Sequence, residues 1–349
     1  MNKKRVVVIC ILLLLPLVIT GLTVVICDPF FHYHKPIKGY PYALENERYQ
    51  NDGIAKHFDY ELMITGSSTT QVLLPSYASE LWDCEAVRMS FAGGSLYETA
   101  GLVDTAVSSN KDLKVVIRGL DIGRLVQEKD TVDYEDIPEY LYDKNPFNDY
   151  RYLFNRDVMT SIGRSAAKLA SGQKADSFDD YENWNDSKVF GKEAVLTTFE
   201  RLPLTDEKQV FTEEDRRIED ENLYENIIKT AKNNPDIEFI VFIPPVNVCY
   251  WDASLRSGGF DYTLDALSEA FLKLSEADNI KVYAFDDCTE ITCNFDNYID
   301  GLHFGEETGK YILESIHSDN HRITMDNKDE YLNRIRNIYS AYDYESIFK

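Results

Sequence analysis

The sequence is short of positive charge. Its 36 Lys and Arg stand against 60 Asp and Glu, a formal net charge of −24. Nucleic-acid partners are thereby excluded, because phosphate backbones are held by Lys and Arg. Three of the basic residues, Lys3, Lys4 and Arg5, precede every acidic one, so the chain beyond residue 27 stands at −27. Such an excess still permits a local basic patch, and is otherwise a solvated surface. Cysteine is also scarce. The six residues form no Cys-x-x-Cys pair and no Cys/His zinc spacing, which speaks against a metal held by thiols. There is no internal repeat and no low-complexity tract, so repeat architectures fall away.

Charge of either sign is missing from residues 6–27, which are almost continuously apolar. Roughly 20 residues rising 1.5 Å each cross a hydrocarbon core, and a buried soluble helix is seldom apolar on every face. The basic triplet in front favours a cytoplasmic N-terminus and an external remainder. No small-residue cleavage site follows, and Ile26 rather than a small residue precedes Cys27. A retained signal anchor is therefore preferred to a cleaved signal peptide or a lipoprotein. The expectation is a single-pass cell-membrane protein, cytoplasmic at its tip and extracellular beyond the anchor (1–27). Residues 28–58, with Pro36, Gly39 and Pro41, read as a juxtamembrane stalk. Within it Phe30, Phe31, His32, Tyr33 and His34 suit an interfacial aromatic belt. A metal held by the two histidines lacks a third ligand nearby.

From residue 59 the pattern alternates. Leu62, Met63 and Ile64 make a short apolar strand, broken by Gly66, Ser67, Ser68, Thr69 and Thr70, small residues that suit a turn into a helix. Residues 86–91 and 114–118 read as further strands, with a helix at 96–109 between them. Residues 237–243 and 280–285 are two more, separated by an amphipathic helix at 262–278, and 306–318 is the closing helix. This alternation predicts an α/β domain (59–320) with a central parallel sheet and crossover helices. An acidic, tyrosine-rich insert at about 125–209 reads as a lid or side wall. A tail at 321–349, with Tyr331, Leu332, Ile335, Ile338 and Tyr339 at helical spacing, is expected to pack back on the domain. Cys288 and Cys293 are close enough in sequence to bridge, or are small buried hydrophobes.

Active groups in an open α/β sheet gather at the carboxyl ends of its strands. There the sequence places Ser67 and Ser68, then Gly93 and Gly94, then Asp121, then Pro244, Pro245 and Asn247. The loop after the last strand adds Asp300 and His303. A nucleophilic serine needs a base within hydrogen-bond reach, and the base needs an orienting carboxylate. Asp-x-x-His puts those two side chains about one turn apart. Taken singly, each piece has a plainer meaning: a Ser/Thr cap after a strand, or an ordinary helix start.

Taken together, the pieces resemble the SGNH (GDSL-type) hydrolase superfamily over roughly residues 55–320. Gly66-Ser67-Ser68 is similar to its first block, with Ser67 in the place of aspartate and Ser68 at the nucleophile position. Ser90-Phe91-Ala92-Gly93 is similar to the second block, whose glycine supplies an oxyanion N–H. Gly119-Leu120-Asp121 falls where the third block has Gly-x-Asn, and Asp300 and His303 match the last block in order and spacing. Gly-Ser-Ser in the first block resembles membrane-anchored bacterial cell-surface members, related to the proteins of teichoic-acid D-alanylation and alginate O-acetylation.

The resemblance implies a three-layer, flavodoxin-like sandwich. It also implies an esterase or O-acyltransferase acting on acyl esters of an envelope polysaccharide or teichoic-acid-like polymer, either alone or beside a membrane acyltransferase. Ser68 would be the nucleophile, His303 the base and Asp300 its orienter. The oxyanion would be met by the N–H groups of Ser68 and Gly93, with Asp121 replacing the usual donor. No metal or organic cofactor is required. Because an ionised aspartate offers only acceptors, Asp121 also suits a rival reading, a protein that keeps the fold and presents polymer without turnover. A structural anchor with no ligand is a third reading and predicts no pocket over Ser68.

Overall fold

The computed structural model describes residues 3–133, 137–143 and 145–349, and the chain divides into two compact units. One comprises residues 1–58 with 136–182, the other residues 59–135 with 183–349. The expected insert at 125–209 is thus split between them.

In the first unit Lys3–Cys27 is a 25-residue helix, long and apolar enough to cross a membrane. Its last turn does a second job. Val24 is fully buried in a core with Phe30, Tyr140, Leu141, Tyr152 and Val158. Phe30 and Phe31 are buried as well, against protein, which corrects the expected aromatic belt. Phe30 packs on Tyr152, 122 residues away, as well as on Tyr49, while Phe31 meets Tyr42 and Phe58 edge to face; the first of these contacts is one that local pattern cannot reveal.

Asp28 organises the turn behind the helix, accepting from the N–H groups of His32, Tyr33 and His34 at 2.8–3.0 Å. It also accepts the Tyr152 hydroxyl at 2.7 Å. His32 faces the Asp149 carboxylate, while His34 bonds the carbonyls of Lys35 and Val25. The two imidazoles therefore serve different partners. Residues 28–58 go on to form the helix Glu47–His57, capped by Asn46.

The second unit is mixed α/β around a six-stranded sheet. Its strands are β1 (Leu62–Thr65), β2 (Ala86–Arg88), β3 (Val115–Gly119), β4 (Glu238–Ile243), β5 (Ile280–Ala284) and β6 (Arg322–Ile323), in spatial order 2-1-3-4-5-6. The first five run parallel. Their apolar runs are continuous because both faces are covered, and all of β1 and β2 is buried. The two-residue β6 pairs antiparallel with β5 and is too short to leave a period in sequence. In a sheet of this order β1 and β3 are neighbours whose crossovers diverge, so a crevice opens at their carboxyl ends.

Two features firm up that end of the sheet. Gly66 takes φ +148°, and a Cβ there would come within 2.7 Å of the Thr70 methyl; one at Gly119 would come within 2.6 Å of the same methyl. Glycine at both strand ends lets Thr70 sit between them. The helix Glu213–Leu223 continues as a π-helical turn, Tyr224–Ile228. There the amides of Asn222 and Asn226 hold the carbonyls of Arg124, Leu125 and Lys129 at 2.8–3.0 Å. That pair pins the loop leaving β3.

The C-terminal helix Lys328–Ser340 buries Tyr331, Ile335 and Tyr339. The Tyr339 hydroxyl donates to the carbonyl of Asp286 and the Tyr331 hydroxyl accepts its N–H. The Asp286 carboxylate in turn accepts the N–H of Val246 at 3.0 Å. The expected Cys288–Cys293 bridge is absent, and both thiols are free. They flank a four-residue helical turn, Thr289–Thr292, and Cys288 is buried, which is the hydrophobe reading.

Candidate active site

The turn after β1 is built by its own hydroxyls. Ser67 caps the 3₁₀ turn Ser68–Thr70, its Oγ accepting the N–H of Thr69 at 3.3 Å, and the Thr70 hydroxyl donates to the Ser67 carbonyl at 2.7 Å. Ser67 is buried. Ser68, one position on, is left with its side chain on the cleft.

The His303 loop is held on both sides. Tyr298 and Phe304 form an antiparallel bridge, and the Ile299 N–H donates to the His303 carbonyl at 3.1 Å. After β4, the Asn247 N–H reaches the Gly301 carbonyl at 3.0 Å and the Pro245 carbonyl accepts the Tyr298 hydroxyl at 3.1 Å. The Pro-Pro stop and Asn247 therefore act through main chain on the opposite loop.

These elements bring Ser68, His303 and Asp300 into one line. Ser68 Oγ stands 2.7 Å from His303 Nε2, and His303 Nδ1 stands 2.7 Å from Asp300 Oδ2. The other oxygen of Asp300 accepts the N–H groups of Leu302 and His303, both at 2.8 Å. Burial pushes the Asp300 carboxyl up, but the bonds from the His303 ring and these N–H groups outweigh it and hold it below the usual carboxylate range. A carboxylate that stays ionised fixes the tautomer with hydrogen on Nδ1, which leaves Nε2 to accept.

A cleft of about 290 Å³ opens beside Ser68 and His303, lined also by Gly93, Asp121, Arg124 and Leu302. Gly93 takes φ +66°, in the left-handed region. Among the described residues no hydrogen bond engages the N–H of Ser68 or of Gly93. Asp121 Oδ1 accepts the Thr69 hydroxyl at 2.9 Å, so it presents a carboxylate where the resemblance would place a donor. Arg124 bonds the Gly93 carbonyl at 3.0 Å and pairs with Asp133.

Trp184 escaped the sequence reading. Its indole N–H donates to the Ser68 carbonyl at 3.0 Å, and its ring meets His303 edge to face at 5.6 Å. Asn183 and Asn185, on either side, bond the Glu306 carboxylate and N–H. One aromatic among several in an acidic, aromatic-rich stretch gave no local signal beyond the expectation of a side wall.

Away from the cleft, Asp287, Cys288 and His321 bring possible metal-ligand atoms within 4.8 Å of one another. The Cys288 sulfur lies 3.6 and 3.8 Å from the two ring nitrogens of His321. Such near-equal separations place it against the ring rather than along either lone pair. Burial pushes the Cys288 thiol up to about 12, and the Tyr311 hydroxyl pairs with His321 Nε2 at 2.8 Å.

No protein-family model and no curated protein matches the chain. Among solved structures it is similar to a Streptococcus pneumonia protein provisionally described as a platelet activating factor. The two are 10% identical, with 78% of this chain and 90% of the other covered, at a TM-score of 0.43. The likeness is distant.

Proposed function

We propose that the protein is a serine-dependent esterase or O-acyltransferase of the SGNH type, with a three-layer, flavodoxin-like domain. In this reading the helix Lys3–Cys27 anchors the chain with its N-terminus in the cytoplasm, and the domain acts outside on acyl esters of an envelope polymer. The observation that carries the reading is the unbroken line from Ser68 Oγ through the His303 ring to Asp300, each step 2.7 Å.

The chemistry follows from that line. Ser68 Oγ attacks the ester carbonyl while its proton passes to His303 Nε2, and Asp300 stabilises the imidazolium. The N–H groups of Ser68 and Gly93 are the donors for the tetrahedral oxyanion. As the intermediate collapses, the leaving alkoxide takes the proton from Nε2 and an acyl-serine remains. Water or a sugar hydroxyl then gives its proton to His303 and attacks the acyl carbon, and as the acyl–Oγ bond breaks His303 passes that proton to Ser68 Oγ. The test is labelling by a serine-directed fluorophosphonate. The wild-type protein should be labelled at Ser68 and the Ser68→Ala protein should not; equal labelling of both overturns the reading.

One observation favours a second reading. Asp121 offers the cleft a carboxylate already accepting from Thr69, and a negative charge beside a developing oxyanion opposes it. A protein that binds or presents polymer without turnover would retain the cleft and fail to label.

A further inference from the structure

A second hollow, of about 380 Å³, lies against the Ser68 cleft, and the two share Ile122, Gly123 and Tyr250 as a common wall. Its floor comes from the helices Val248–Arg256 and Phe260–Leu274. Among the described residues none of its lining side chains is charged, on a chain whose net charge is −24.

Most of its polar groups are hydroxyls already committed as donors. The Thr263 hydroxyl donates to the Gly259 carbonyl, and Ser254 donates to Thr263. Ser257 donates to the Ser254 carbonyl and Tyr262 to the Asp215 carboxylate. These four hydroxyl protons are spent inside the protein, so those groups can meet a ligand only with lone pairs, and the Tyr250 hydroxyl is the one hydroxyl of the lining with its proton uncommitted among the described residues. One amide hydrogen of Gln209 is likewise spent, on the Ser257 carbonyl. A ligand seated there must bring donors. Phosphate diesters and carboxylates bring charge and only acceptors, and among the described lining residues they would find no cation to meet them. An acyl chain would leave the hydroxyl oxygens desolvated without partners. A neutral sugar ring supplies hydroxyl donors and an apolar face for the rings of Tyr250 and Tyr262.

We infer that this hollow is a subsite for neutral, polyhydroxylated sugar units of the acceptor polymer, continuous with the cleft that holds the ester. The inference rests on the esterase reading for the position of the reacting ester. It narrows the substrate class to uncharged glycan and excludes polyol-phosphate chains.

The test is binding to the full-length Ser68→Ala protein, which does not depend on turnover. The probes are a partly O-acetylated xylohexaose and an oligomer of glycerol phosphate, followed by titration calorimetry. The xylohexaose should bind, and its affinity should fall at least tenfold when Ser257→Trp fills the hollow. Gly123→Leu should do the same, since a Cβ at Gly123 meets nothing within 4 Å. The phosphate oligomer should bind at least tenfold more weakly than the sugar. Melting curves establish which filled variants are folded, and one folded variant suffices. Undiminished xylohexaose binding in a folded filled variant overturns the subsite, as does preference for the phosphate oligomer. Competition by p-nitrophenyl decanoate that is abolished by Ser257→Trp would reassign the hollow to an acyl chain and overturn it too. Failure of fluorophosphonate labelling with intact sugar binding would remove the esterase reading and leave the subsite standing.

Discussion

The indole N–H of Trp184 donates to the main-chain carbonyl of Ser68 across 3.0 Å, and the same ring stands edge-on to His303. One side chain thereby steadies both ends of the 2.7 Å contact between Ser68 and His303. Trp184→Phe keeps a ring beside the imidazole and deletes the donor. A hydrogen bond of this kind is worth roughly 1 kcal/mol, so the rate of fluorophosphonate labelling at Ser68 should fall by about 3- to 10-fold with the melting temperature nearly unchanged. A labelling rate equal to wild type would show that the contact does not position the serine.

Ser68, His303 and Asp300 should behave as one unit. Ser68→Ala and His303→Ala are each expected to lower kcat for a simple acetyl ester by about 10⁴-fold or more, and the double variant should be no worse than either. Asp300→Asn should also cost about 10⁴-fold, because the tautomer of His303 is then no longer imposed. Multiplicative losses in the double variant would mean that the two residues serve separate steps.

Asp121→Asn tests the departure from the usual oxyanion donor. The amide oxygen can still accept the Thr69 hydroxyl, and the amide nitrogen adds a donor toward the cleft. Esterase turnover should rise by about 10-fold or more, given that a single oxyanion donor contributes about 10²–10³. If transfer to a sugar acceptor falls while hydrolysis does not rise, Asp121 belongs to acceptor binding.

Two buried carboxyls set a pH dependence of stability. Burial, aided by Glu269 and Asp220, raises Glu219 from 4.5 to about 9, and burial raises Asp286 from 3.8 to about 8. In the fold both stay protonated to higher pH than in the unfolded chain. Their contribution is therefore complete below about pH 4 and is lost as pH rises toward 8 and 9. The melting temperature should decline between pH 6 and 9, and Glu219→Gln with Asp286→Asn should flatten that decline. An unchanged slope in the double variant would place the dependence elsewhere.

Most of the parallel strands were legible because they are largely apolar runs closed by glycine, proline or aspartate, and the candidate site was legible because such strands end together. Ser68, Gly93, Asp121, Asp300 and His303 are all named by that logic. What the sequence hid was non-local. The burial of Phe30 depends on Tyr152 and its neighbours, and the contacts of Trp184 depend on a serine 116 positions earlier. The free thiols of Cys288 and Cys293 reflect the helical turn between them, which spacing alone does not disclose.

The anchoring of Asp286 by Tyr331 and Tyr339 has a consequence in time. The cleft wall at Val246 hangs from the Asp286 carboxylate, and Asp286 is gripped at its N–H and carbonyl by the last long helix. A chain synthesised from its N-terminus releases Ser68 first and that helix last. The pocket around the serine therefore has no finished wall until nearly every residue has emerged. A nascent chain carries Ser68 well before the wall beside it is in place.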